Sequence, residues 1–404
     1  MPRAYDADLS ALCDNKKCPL WKKNCAPVHS IESDNALAVI VCEHPGPQEQ
    51  FWRQPLRGYA GRRAHQALRS VGLNRVSVCN RIGCFPPQHM ATDSIKASAA
   101  KHCAARFTRI MQRLTPANDL PILLLGKHAG DGWAPRVSRT LRSGATKTLP
   151  VMKLARGMVA DNICYLDNPA LAFWHKAPLQ VLWLAGLERF AKYLRNETES
   201  PPPIPIIDIG EEALTALRSM GHTIGWDVET LGIDPTSSPI TCIGISDGER
   251  TVSMPWDTYS VAGTEVVGLA SATVGTAKQI RDEILRVLAS DRIHATQNGS
   301  YDVLAMGAKG LPGRNDYDTM HAHKICWPEI PAGLEEVAVH LVPRLSDRWK
   351  TIFRGGRDET EGVAKGWDAF ADSAPADLRD YNGMDAWATV AAVAPLNDEL
   401  STED

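Results

Sequence analysis

The chain has 404 residues, 44% of them hydrophobic and 23% charged, with a formal net charge of -3. That length suits two or three domains, and the composition excludes a disordered or fibrous chain. No apolar run approaches the roughly 18–20 residues of a membrane span, and the start MPRAYDADLS has no apolar signal core, so a cytoplasmic location is expected.

The near-neutral average hides an asymmetry. Residues 1–200 hold 28 Lys and Arg against 15 Asp and Glu, a net +13, while residues 201–404 hold 16 against 32, a net -16. Halves of opposite sign point to different partners. The change falls at ETESPPPIP, Glu197 to Pro205, where three consecutive prolines favour an extended spacer and cannot continue a helix. The expected division is 1–197, a linker at 198–205, and 206–404. The ten cysteines do not read as a disulfide framework in a reducing compartment. Cys13, Cys18, Cys25, Cys84 and Cys103 crowd turn-like or Pro-flanked positions, whereas Cys42 and Cys79 end apolar runs and read as buried strand residues.

In the basic half, NALAVIVCEHPG reads as a buried strand and GRRAHQALRSVGL as a helix. VSVCNRIGCFPP is a second strand, SIKASAAKHCAARFTRIMQRL one long basic amphipathic helix, and PILLLGKHA a third strand. This alternation favours an α/β fold with a helix-covered parallel sheet, whose ligands sit at the carboxyl ends of the strands. Those ends carry Cys42-Glu43-His44-Pro45-Gly46 and Asn80. Arg53, Arg57, Arg62, Arg63 and Arg69 begin a cationic run continuing through Arg75, Arg81, Lys96, Lys101, Arg106, Arg109 and Arg113, which favours phosphate binding over a merely solvated surface.

Over about residues 13–195 the chain resembles the family 4, iron–sulfur uracil-DNA glycosylases. The carrying motifs are Cys13-Asp14-Asn15-Lys16-Lys17-Cys18-Pro19-Leu20, Glu43-His44-Pro45-Gly46 and Cys84-Phe85-Pro86-Pro87, with Cys103 on the following helix. The resemblance implies an α/β/α sandwich and a [4Fe–4S] cluster on Cys13, Cys18, Cys84 and Cys103. The first pair is spaced by four residues where the family usually has two, which leaves Cys25 as a substitute ligand, and four thiolates also suit zinc. Asn80 matches the Asn that hydrogen-bonds a flipped uracil, and Glu43 the motif's Glu. Leu56 stands where the family stacks an aromatic ring on uracil. Asp161 stands where it has a His stabilising the departing anion. A carboxylate there repels a developing anion, and Leu offers no stacking face. The implied domain keeps the scaffold and DNA affinity, with glycosylase activity weak or absent.

In the acidic half, HTIGWDVETLG is a strand, and Asp227 and Glu229, two apart, project from one face. RIHATQ is another strand, followed by Asn298-Gly299-Ser300-Tyr301-Asp302 and a helix. Tyr381 and Asp385 stand four apart on a last helix, and His321, His323 and His340 read as surface or packing residues. Three motifs in this order, WDVET, ATQNGSYD and YNGMD, with Asp318-Thr319-Met320 between the last two, resemble the DEDD exonucleases with Tyr in the third motif. These are the RNase H-like, mixed-sheet proofreading domains of family A DNA polymerases. The resemblance covers about residues 205–400 and implies two Mg²⁺ or Mn²⁺ on Asp227, Glu229, Asp302 and Asp385, with Tyr381 orienting the attacking water. Asn298 is expected to position the terminal nucleotide or the second-motif loop. Certain bacteriophage DNA polymerases carry a glycosylase-like domain, this exonuclease and then the polymerase. The chain looks like the first two parts, which implies a 3′→5′ proofreading subunit on DNA with a separate polymerase, in the host cytoplasm if phage-encoded. An active uracil-DNA glycosylase and an RNA exonuclease are the alternatives.

Overall fold

A computed structural model describes residues 17–20, 27–116, 120–134, 136–151, 157–175, 179–197, 201–261, 264–342 and 374–401. The chain divides into two compact units: Met1–Val137 with Pro150–Thr198, and Ser138–Leu149 with Glu199–Asp404. No helix among the described residues is long and apolar enough to cross a membrane.

The first run of elements is β1 (Ala38–Cys42), α1 (Pro47–Trp52), α2 (Tyr59–Ser70), β2 (Val76–Asn80), α3 (Asp93–His102), α4 (Ala104–Leu114) and β3 (Ile122–Leu125). It continues with β4 (Arg136–Thr140), β5 (Thr146–Pro150), β6 (Val159–Ala160), β7 (Ile163–Leu166) and α5 (Leu179–Leu194). The sheet order is β2-β1-β3-β7-β6, parallel throughout except for β6. All five residues of β1, AVIVC, are buried, as a strand covered on both faces requires. Cys42 and Cys79 are buried strand residues.

The long helix expected across Cys103 is two helices. The Cys103 N–H bonds both Ala99 O and Lys101 O, so the chain tightens there. Each half then buries its own face, Ala99 and Ala100 in α3, Phe107 and Ile110 in α4.

The second unit contains α6 (Glu211–Arg218), β8 (Thr223–Thr230), β9 (Ile240–Ser246), β10 (Thr251–Pro255), β11 (Tyr259–Val261), β12 (Thr264–Val266) and α7 (Gly275–Leu288). After these come β13 (Ile293–Thr296), α8 (Ser300–Ala308), β14 (Tyr317–Asp318), α9 (Thr319–Cys326), α10 (Leu334–Leu341) and α11 (Pro375–Ser401). Its main sheet is mixed, in order β10-β9-β8-β13-β14. β9 runs antiparallel to both β8 and β10, while β13 runs parallel to β8 and to β14. Ile224, Trp226 and Val228 enter a core with Leu214, Leu217 and Ile284 of α6 and α7. By strand alternation Gly225, Asp227 and Glu229 face the other way, toward α11.

The α11 backbone comes down onto the sheet at two glycines. A Cβ on Gly225 would lie 2.3 Å from Ala386 O, and one on Gly244 would lie 2.8 Å from Asn382 O. Residues 138–149, placed by the sequence with the basic half, belong to the acidic unit. Ser143 donates from its N–H and Oγ to the buried Asp377 carboxylate at the start of α11 (2.8 and 2.7 Å), and Arg142 donates to Pro205 O (2.8 Å).

His323 is fully buried and half-buried His340 meets it, Nε2 to Nδ1 at 3.2 Å, with Trp327 against both rings. Burial, aided for His323 by His340, pushes both imidazoles down to about 4. The folded state therefore holds them neutral. Their contribution is complete above about pH 6.5 and declines as pH falls toward 4, on the order of 1 kcal/mol per pH unit for each imidazole. His340→Gln is expected to flatten the loss of stability between pH 6.5 and 4 relative to wild type, measured as denaturation midpoints at each pH.

Candidate functional site

Three carboxylates converge on the α11 face of the second unit. Ligand oxygens of Asp227, Glu229 and Asp385 lie within 4.8 Å of one another, the one such compact group among the described residues. Two come from alternate positions of β8 and the third from α11. Asp302 approaches from the first turn of α8. Because β13 pairs only with Thr223–Gly225, the Val228 N–H is left over beyond the ladder, and Asp302 Oδ1 accepts it at 3.2 Å. Tyr381 sits one helical turn before Asp385, and its hydroxyl hydrogen-bonds that carboxylate.

The electrostatics are those of crowded negative charge. Burial, then Asp302, Glu229 and Asp385, raises Asp227 well above the usual carboxylate range. Burial lifts Asp302 to about 7 despite the Val228 N–H. Tyr381 is raised by burial and by the same carboxylates. Four oxygen-donor carboxylates that destabilise one another without a counter-charge fit hard divalent cations.

A residue without a role in the sequence reading completes the site. Asn382, fully buried, donates from Nδ2 to Asp227 Oδ2 (2.8 Å) and Asp227 O (3.1 Å), while its Oδ1 accepts from Ser253 Oγ (2.7 Å). It fixes one oxygen of Asp227 and leaves the other to a ligand. The exposed Asn298 lies at φ 57, a left-handed conformation that Asn tolerates, and its N–H donates to Asp318 Oδ1. Asp318 also accepts from Gly299, Asn315, Met320 and His321, which makes it the organiser of the second-motif loop.

In the first unit, a cavity of about 660 Å³ opens at the carboxyl ends of β1, β2 and β3, with Cys42, Asn80 and Leu125 in its wall. Asn80 and Leu56 both line it. Asn80 is 2% exposed and its Nδ2 has no partner among the described residues. Leu56 is held at φ 56 with its backbone against Gly61. The other two expected pocket residues lie outside the lining. Glu43 is taken up by Lys96 Nζ (2.9 Å) and Asn168 Nδ2 (3.2 Å). Asp161 stands with Asn162 at the two-residue β6–β7 turn, both at positive φ. That turn carries position 161 to the hairpin tip. Asn168 lines the cavity instead.

Of the expected cluster ligands, Cys84 and Cys103 lie in one apolar cluster with Leu20 and Ile82, and Cys18 packs against it. Cys13 and Cys25 lie outside the described residues. Beside this cluster Arg81 is 2% exposed, donates Nε to Asp131 O (2.8 Å) and lies over the Phe107 ring (4.9 Å). Its Nη1 has no partner among the described residues. Burial lowers its guanidinium, and Cys103 leads the groups that oppose this. A buried, incompletely paired cation beside cysteines that share an apolar cluster would be compensated by a negative charge there.

No family profile matches the chain. It is 34% identical over 76 residues to the type-4 uracil-DNA glycosylase of Archaeoglobus fulgidus, a match that spans 18% of this chain and 38% of that protein. Among solved structures it is similar to a nuclease in its apo form (18% identity, TM-score 0.30) and to Brucella melitensis NrnC with bound Mg²⁺ (14%, 0.32). NrnC bound to pGG is a further neighbour (16%, 0.32). Each of these structural matches covers 49% of this chain and 80–81% of the neighbour.

Proposed function

We propose that the second unit is a metal-dependent 3′→5′ exonuclease acting on DNA. The observation that carries this reading is the convergence of Asp227, Glu229 and Asp385 within 4.8 Å, with Asp302 beside them. These four residues would hold two Mg²⁺ or Mn²⁺, which when bound neutralise charge on the scissile phosphate and lower the pKa of a water. Tyr381, kept protonated by its surroundings, offers a neutral hydroxyl that orients that water. Asn382 keeps the Asp227 carboxylate turned for ligation. Asn382→Leu is expected to raise the Mn²⁺ concentration for half-maximal activity by about tenfold or more, the usual cost of losing a partner of a metal ligand, with activity recovering at saturating Mn²⁺.

The first unit is read as a glycosylase-like DNA-binding module with a [4Fe–4S] cluster on Cys18, Cys84, Cys103 and either Cys13 or Cys25. Its motifs, its net charge of +11 (25 Lys and Arg against 14 Asp and Glu) and the glycosylase relative support DNA over RNA as the substrate. The test is release of 3′-terminal nucleotides from DNA and RNA oligonucleotides of one sequence in Mg²⁺ or Mn²⁺. Faster loss from RNA would move the activity to RNA, and no release from either would remove it. The unpartnered Asn80 amide in the cavity wall favours one secondary activity, uracil excision, detectable as abasic sites and reduced by Asn80→Ala. A proofreading role implies association with a DNA polymerase, tested by co-purification of the two on primer-template.

A further inference from the structure

All three exposed aromatic side chains among the described residues lie between positions 51 and 59. Phe51 is 77% exposed, Trp52 63% and Tyr59 48%. Phe51 and Trp52 end α1 edge to face, centroids 5.1 Å apart at 88°, so the edge of one ring meets a single face of the other and both remain largely exposed. Water-facing rings of this size are costly unless something else covers them. Tyr59 lies in the wall of the 660 Å³ cavity.

A second depression, of about 430 Å³, shares Leu56 with that cavity and is lined by Gln54, Arg57, Arg62, His65 and Arg69. The charge here is one-sided. Between His44 and Thr92 the only acidic residue is Glu49, and its carboxylate is turned inward onto the N–H groups of Gly46 and Gly58. No carboxylate lines this depression among the described residues, which suits phosphates, and the exposed rings, five and six residues before Arg57 in the chain, suit the faces of unstacked bases. Duplex DNA offers the phosphates but keeps its base faces covered.

We propose that Phe51, Trp52 and the Arg57–Arg62–Arg69 groove form a binding surface for unpaired nucleic acid, two bases stacking on the rings while the guanidiniums take the backbone. The proposal rests on the reading of the first unit as a DNA-binding module and adds strand state and the residues that sense it. An acidic peptide would engage the groove without needing the rings.

The experiment measures binding of fluorescein-labelled dT20 to the full chain in EDTA, where no digestion occurs, at 50 and 200 mM salt. Phe51→Ser with Trp52→Ser is expected to weaken binding by about tenfold or more at both salts, given the loss of two stacks. Arg57→Ser with Arg62→Ser should reduce the salt dependence instead. Melting temperature reports whether each variant is folded. In wild type, dT20 should shield tryptophan from iodide more than a blunt duplex does, and Trp52→Ser should remove that difference. Salt-sensitive binding shared equally by wild type and the ring variant would overturn the platform while leaving the first unit a DNA binder. No binding by wild type would overturn both, and displacement of dT20 by an acidic peptide at equal affinity would assign the groove to protein.

Discussion

Asp227→Ala combined with Glu229→Ala is expected to abolish nucleotide release, a loss of more than about a thousandfold, above the 10²–10³ that one electrostatic donor costs. The two residues supply two of the three closest carboxylates, so the remaining Asp385 cannot hold a cation pair. The same variant should behave oppositely in stability. Asp227 and Asp302 are raised in the folded protein, so they keep protons that the unfolded chain releases above about pH 4. Folded stability without metal therefore falls as pH rises through their folded values. Above pH 6.5 the imidazole contribution of His323 and His340 is constant, which leaves the carboxylates to set the slope there. In EDTA, wild type should lose on the order of 1 kcal/mol per pH unit for each group still titrating, and the double variant should lose less. Added Mn²⁺ should raise the melting temperature of wild type only.

Gly225→Val is expected to destabilise the second unit by more than about 2 kcal/mol and lower its midpoint by ~5 °C or more. The new Cβ would meet Ala386 O at 2.3 Å and Val390 N at 2.8 Å, both backbone atoms of α11 that no rotamer change can move. Helix and strand would have to part, and with them Asp385 and Tyr381 from Asp227 and Glu229. Activity should fall with stability at this position. Gly307 in α8 is the contrast, with nothing within 4 Å of an added Cβ. Gly307→Ala should raise stability by about 0.5–1 kcal/mol through helix propensity alone. Thermal scans of both variants check the pair.

The carboxylate site was readable because its information is local. A strand's two-residue period brings Asp227 and Glu229 to one face, and a helical turn brings Tyr381 to Asp385. Asn382 sits inside the same YNGMD motif, yet what defines it is Ser253, 129 residues earlier. The segment 138–149 reads with the basic half by position, while its partner in the structure is more distant still: Ser143 finds Asp377 across 234 residues. Asp161 depends on a two-residue turn at positive φ, which sets it at the β6–β7 hairpin tip, outside the cavity lining. The break at Cys103 was invisible to hydrophobic periodicity, because the helical pattern resumes with Phe107 and Ile110 immediately after it.

The reading of Asp227, Glu229, Asp302 and Asp385 as a divalent-metal centre has a direct test. Titration of the full chain with Mn²⁺, following the free-ion EPR signal, tests it without any assumption about substrate. Wild type should suppress the signal of the first two equivalents of Mn²⁺, and the Asp227→Ala, Glu229→Ala variant should leave it at full intensity. Equal free-ion signals from wild type and variant across the titration would mean that these carboxylates hold no metal.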